Sequence, residues 1–156
     1  MMTRPLRRDD RRLDDAAAMA LLKRGEYGIL STSDRNNQPY GIPVNYVVME
    51  ECIFFHCATE GQKLENITAN KGVSFCVVGT TELVPEKFST RYESVVVSGN
   101  AEMIEDRVQK SNALRALVAK YAPDHISSGE TYIEKLMDQT AVVRISIDRL
   151  IGKARK

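Results

Sequence analysis

The chain contains no tryptophan, two histidines and three cysteines among its 156 residues, and its 22 Lys and Arg nearly cancel its 21 Asp and Glu, leaving a formal charge of +1. Each scarcity excludes a class of function. Cys52, Cys57 and Cys76 are odd in number and form no CxxC pair. Neither a disulfide framework nor a thiolate zinc site has a basis in them, and they read as small buried hydrophobes. His56 and His125 are too few for a histidine metal cluster. Without net charge there is no long-range field to draw in nucleic acid or an anionic membrane. No apolar run reaches the roughly 18–20 residues that span a bilayer. Met1 to Asp15 is dense in alternating charge where an export signal would be apolar, so a cytoplasmic protein is expected. The Asn66-Ile67-Thr68 sequon is accordingly read as chance. None of the nine glycines falls into GxGxxG or GxxxxGKS/T, and there is no GxSxG elbow. A Rossmann turn, a P-loop and a nucleophile elbow are therefore unsupported.

What is present is an ordinary globular composition, 43% hydrophobic and 28% charged, at a length that suits one domain over residues 1–156. Five arginines between Arg4 and Arg12 make residues 1–12 a basic arm, solvated or at an interface. A helical stripe follows through Ala17, Leu21 and Leu22, with Asp14 and Asp15 before it, Lys23 and Arg24 at its end and Gly25 as its stop, which matches the helix dipole at both ends.

From Tyr27 the period changes. Tyr27 to Thr32, Tyr40 to Val48 and Cys52 to Ala58 are rich in Ile, Val, Tyr and Phe and separated by short polar turns, which predicts three antiparallel strands adjacent in space. Gly61 to Lys71 predicts a short helix, Val73 to Val78 a strand, and Thr80 to Thr90, with Pro85 and no clear period, a loop. Glu93 to Met103 predicts a long strand in which Gly99 marks a bulge or bend. Leu114, Leu117, Val118 and Tyr121 predict an amphipathic helix ending before Pro123, and Ile133, Leu136 and Met137 another short helix. Ala141 to Ile147 alternates as a last strand. Six strands with helices inserted at hairpin connections favour a small antiparallel barrel over a doubly wound parallel sheet.

Two stretches carry chemistry. In Phe55 to Lys63 a strand ends in a turn, a Gly, a Lys and a helix start. The free N–H groups and partial positive charge of that helix end, with the Thr59 hydroxyl and the Lys63 ammonium, form a candidate phosphate cradle. The alternative is that Thr59 caps the helix and Lys63 is a solvated charge. In Ile42 to Val47, Pro43 cannot donate to a ladder, so this is an edge or irregular strand. Its backbone faces either solvent or a planar ring with polar atoms along its rim.

The ordered series Gln38-Pro39-Tyr40, Ile42 to Val47, Phe54-Phe55-His56 running to Gly61-Gln62-Lys63, Leu64 to Asn70, Val73-Ser74-Phe75 and Ser94 to Glu102 resembles the FMN-binding split barrels of the pyridoxamine 5'-phosphate oxidase-like superfamily. The Arg/Asp-rich leading helix, Pro43-Val44-Asn45-Tyr46 and the Phe-His-x-Ala-x-x-Gly-x-Lys string are most similar to the nitroimidazole-resistance (Nim-type) flavoproteins. The resemblance covers about Arg7 to Lys153 and implies a mainly β fold with added helices, a six-stranded antiparallel Greek-key split barrel.

Carried onto this chain, the resemblance implies that Ile42, Pro43, Val44, Asn45, Tyr46 and Val47 lie along the isoalloxazine and ribityl chain of FMN, largely through backbone groups. His56 and Cys57 would line the same cavity, Gln62 and Lys63 would stand at the phosphate, and Ser94 would reach the ring. Gln62 departs from the more basic oxidase pattern and leaves Lys63, Thr59 and the helix terminus to neutralise the phosphate. The Trp and Arg that close the oxidase C-terminus are missing, which disfavours oxidation of pyridoxamine phosphate. His56 has two readings, a proton donor or orienting group for a substrate reduced at the flavin, or a structural residue of the barrel wall. His125, near Pro123, reads as structural or solvated.

A barrel this small cannot also enclose a flavin; the resemblance supplies a second wall by homodimerisation, with flavin at the interface. The expected function is an FMN-dependent oxidoreductase passing electrons from NAD(P)H or another donor to a small, nitroaromatic-like substrate. The alternatives are a non-catalytic flavin or haem carrier or sensor, and a dimeric interaction domain with an empty groove.

Overall fold

Alternating apolar residues build one antiparallel sheet of seven strands, curled into a split barrel and flanked by four α-helices, in the computed structural model, which describes residues 5–156. The strands are β1 (Gly28–Ser33), β2 (Pro39–Val44), β3 (Val47–Met49), β4 (Cys52–Ala58), β5 (Gly72–Val84), β6 (Ser89–Met103) and β7 (Thr140–Arg155). The helices are α1 (Asp15–Arg24), α2 (Gln62–Ala69), α3 (Arg107–Tyr121) and α4 (Ile126–Leu136). The first four residues of the expected basic arm lie outside the described residues. The remainder runs beside β7, where Arg12 bridges Lys153 and the Leu13 N–H donates to the Gly152 carbonyl at 3.0 Å.

The strand order is β2-β1-β5-β6-β7-β4-β3. β2 and β3 are thus the two edges of the sheet, although only Asn45 and Tyr46 separate them in sequence. The expected single strand from Tyr40 to Val48 is two strands, which makes seven in place of six, and the expected three-strand neighbourhood holds only in pairs, β1 with β2 and β3 with β4. Tyr46 is the cause. Its ring is fully buried, edge-on to Phe75 at 4.9 Å between centroids, and its hydroxyl donates to the Leu22 carbonyl of α1. Its backbone polar groups are satisfied from α3 instead of by a strand: the N–H donates to the Tyr121 hydroxyl at 2.9 Å, and Lys120 Nζ donates to the carbonyl at 2.8 Å. The same ammonium sits 3.9 Å from the centre of the Tyr46 ring, a cation–π contact.

Two cores result, one on each face of β4. Ile53 and Phe55 point into the barrel with Leu30, Phe75, Val97 and Ile145. Phe54, one residue out of phase, points to the other side and packs with Val142 of β7 under Leu114 and Leu117 of α3 and Ile133 of α4. A strand covered on both faces reads as a continuous apolar run, which is why Ile53, Phe54 and Phe55 are all buried.

The expected helices are all present. Asp14 caps α1, accepting from the Ala17 N–H at 2.7 Å, and Asp106 caps α3 in the same way through Gln109. The expected loop from Thr80 to Thr90 is instead the tip of the β5–β6 hairpin, closed by a 3₁₀ turn at Pro85–Lys87. The register slips between Val78 and Thr81, and Thr81, Glu82 and Leu83 are all exposed. No inside-outside alternation survives there to reveal a strand. The last strand also runs eight residues past Ile147, to Arg155. A bulge hides its second half, since Ser98 pairs with Arg149 but Gly99 pairs with Ile147, leaving Asp148 over. Asn100 Nδ2 donates to the Asp148 carboxylate at 2.7 Å, and a Cβ on Gly99 would run into the Ser146 carbonyl. The expected irregularity at Gly99 is therefore real, and its extra residue belongs to β7.

Candidate functional site

The α2 amino end is built by Gly61, whose φ of 137° is a conformation that side chains disfavour. Its carbonyl takes the first helical hydrogen bonds, from Leu64 and Glu65, and no side chain caps the helix. Thr59 therefore does not serve as the cap, and its side chain is exposed. Among the described residues the side chains of Thr59, Gln62 and Lys63 make no hydrogen bond or ion pair. Lys63 is half-buried and close enough to Cys57 to oppose the rise that burial imposes on its thiol pKa. The net shift is upward, so Cys57 is a protonated thiol at neutral pH and not a nucleophile.

A cavity of about 640 Å³ lies on the other side of this helix, between Thr59 to Gly61 and the β1–β2 turn. Asp34, Glu60 and Glu65 face it against Arg35 alone, and Lys63 does not line it. That charge balance is wrong for a phosphate, and Thr59 borders this cavity whereas Lys63 does not.

Ile42, Pro43 and Val44 sit on β2. As an edge strand it leaves alternate backbone groups unpaired on its open side, and Pro43 has no N–H to offer. Ile42 and Val44 turn their side chains inward against the core, while Pro43 faces outward. Val47 lies across the split on β3. Tyr46 does not line an open groove as expected: its ring is core and its backbone groups are bound to α3. Asn45, exposed at the strand break, borders two recesses, one with Glu26, Tyr27 and Pro43, the other with His56.

His56 and Cys57 do not share a cavity, contrary to expectation. Neighbours on a strand point to opposite faces; Cys57 packs on the barrel side, whereas His56 opens into a recess of about 220 Å³ beneath α3 and α4. The side chain remains exposed, but partial desolvation at the recess lowers the imidazole pKa, which favours the neutral ring. Thr140 and Tyr121 also reach this recess. Tyr121 has the i, i+7 spacing of a core residue, and nothing local shows that its phenol is aimed at the strand break.

Ser94 is on the outer sheet face, between Val78 of β5 and Lys153 of β7, and a single chain does not bring it to the other candidates. One row along, Pro43, Ile29, Cys76, Val96 and Ile151 stand side by side across five strands on that same face. Val78 and Val96 are 58% and 42% exposed. Exposed His125 lies in a 3₁₀ turn before α4 and approaches none of these groups.

The same architecture recurs in solved structures. A candidate 5-nitroimidazole antibiotic resistance protein of Bacteroides thetaiotaomicron superposes with a TM-score of 0.79 at 24% identity, over 92% of this chain and 86% of that one. A flavocytochrome of Azotobacter vinelandii gives 0.85 at 21% identity, over 99% and 73%. An FAD- and haem-binding protein of Mycobacterium smegmatis gives 0.78 at 18%, over 92% and 72%. At these identities the likeness is one of fold. No curated protein matches the sequence significantly. The family model described as pyridoxamine 5'-phosphate oxidase matches residues 14–154, from the cap of α1 almost to the end of β7 and through both candidate stretches. The chain belongs to the pyridoxamine 5'-phosphate oxidase-like family.

Proposed function

We propose that the protein is a flavin-dependent oxidoreductase that holds FMN in a groove completed by a second copy of the chain. The observation that carries this reading is the uncapped start of α2, with Gln62 and Lys63 in its first turn and Thr59 just before it, their side chains making no hydrogen bond or ion pair among the described residues. A helix amino end with one ammonium and one hydroxyl suits a phosphate monoester. The open edge of β2, with Asn45 at the break and Val47 beyond it, offers backbone polar groups to a flat ring. Cys57, on the barrel side near Lys63, lies toward the phosphate end. The apolar row across the outer face supports association of two copies, and it would bring Ser94 into a shared groove.

When bound, the flavin supplies electron transfer between a reduced donor such as NAD(P)H and a small aromatic acceptor. The chain's part is to hold the phosphate, exclude water and present His56 as a neutral hydrogen-bonding group. Solved structures of the same fold include a flavocytochrome and an FAD- and haem-binding protein. Their fold likeness favours, as the second reading, a flavin or haem carrier without turnover.

The test is an absorption spectrum of the purified protein, an FMN titration followed by fluorescence quenching, and anaerobic addition of NADPH. Flavin bands, micromolar or tighter FMN binding and bleaching by NADPH are expected. Flavin bands that no donor bleaches would point to the carrier, a Soret band to haem, and absence of any FMN binding would refute the reading. Lys63→Glu is expected to weaken FMN binding by roughly ten-fold or more, because it replaces a charge-assisted contact with repulsion.

A further inference from the structure

The recess under α3 and α4 differs in chemistry from the phosphate end. Leu114, Leu117 and Val118 of α3 and Ile133 and Leu136 of α4 form its walls, and the exposed His56 of β4 borders it. None of these residues belongs to the barrel core; Leu114, Leu117 and Ile133 pack in the smaller helix-side cluster, which leaves this space open. The Tyr132 ring stands at the mouth, 66% exposed, an aromatic face with little of its own to cover it.

Size decides what fits. A cavity of about 150 Å³ lined by aliphatic side chains holds a benzene ring. At about 220 Å³ this one has room for a single ring with a small substituent and not for a three-ring flavin or a haem. The lining carries no full charge, while His56 offers an imidazole whose nitrogens make no hydrogen bond among the described residues. We infer that this recess binds a single-ring aromatic molecule bearing one hydrogen-bonding group, its ring between α3 and α4 and its polar end on His56. Partial desolvation of this exposed side chain lowers the imidazole pKa, which favours the neutral ring that can donate at one nitrogen and accept at the other.

Asn45 borders both this recess and the outer groove at the strand break, so the ring would lie beside the place proposed for the flavin. Its meaning as a substrate site rests on the flavin reading; the binding itself does not.

The test is a methyl and imidazole NMR titration of the full chain with p-cresol and with toluene, which needs neither flavin nor turnover. Saturable one-to-one binding that shifts the His56 ring and the Leu117 and Leu136 methyls is expected, with p-cresol roughly five-fold tighter than toluene. Leu136→Trp, at a half-buried wall position, is expected to abolish binding of both. His56→Leu is expected to retain toluene and to erase the preference for p-cresol. No saturable binding, or binding that Leu136→Trp leaves intact, would overturn the assignment. A p-cresol preference surviving in His56→Leu would overturn the role of the imidazole. Failure of FMN to bind leaves these outcomes readable, so the two proposals fail separately.

Discussion

At the scale of single residues, Tyr46 shows how one side chain sets the course of the chain. Its hydroxyl ties the strand break to α1 through Leu22, and its carbonyl draws in Lys120. Burial lowers the pKa of that lysine and raises that of the Tyr46 phenol, so the phenol stays a neutral hydrogen-bond donor. Tyr46→Phe leaves the Leu22 carbonyl buried without its donor. It is expected to cost about 1–3 kcal/mol in urea unfolding. His56 carries a pH signature. Its pKa is lower in the folded chain than the ordinary 6.5, so the unfolded state binds the proton more readily. The contribution is present above about pH 6.5 and is lost as pH falls from there toward the folded value. The urea midpoint of the native protein is therefore expected to fall on acidification more steeply than that of His56→Leu. Parallel slopes would contradict the shift.

At the scale of elements, the bulge between β6 and β7 lets two long strands bend together around the barrel. Gly99 faces the Ser146 carbonyl so closely that Gly99→Ala is expected to cost about 2 kcal/mol or more, read from chemical denaturation. A loss near zero would mean that the bulge gives way freely. Elements with a clean period were legible in the sequence: α1 from its acids, stripe and stop, α3 from Leu114 to Tyr121, and the β4-to-α2 turn from its strand-turn-Gly-Lys order. Those without one were not. Near the β5–β6 tip Thr81, Glu82 and Leu83 are exposed in succession, the second half of β7 follows a bulge that inverts its alternation, and the break after Val44 depends on Lys120 and Tyr121, more than 70 residues away. The opposed faces of His56 and Cys57 were implicit in strand alternation, which the expectation of one shared cavity overlooked. What concealed the His56 recess was the placement of α3 and α4 over β4, which no local pattern carries.

At the scale of the whole molecule, the sheet's outer face decides whether one chain suffices. Its inner face is filled by its own core, so on the proposed reading a flavin would lie outside, against the split and the start of α2, with one side uncovered. The row from Pro43 to Ile151 is a surface that a second copy can bury. Val96→Glu, at a position 42% exposed, is expected to leave the fold intact and to yield a monomer with reduced flavin retention, because a charge would be buried unpaired at the contact. Size-exclusion chromatography with light scattering reads the outcome.

Sedimentation velocity of the FMN-loaded protein, followed at 450 nm and 280 nm together, bears on the whole account at once. Two copies holding flavin between them predict that the yellow absorbance travels at twice the 17.5 kDa chain mass, with one FMN per chain. Flavin moving with a single chain, or only as free FMN, would contradict it.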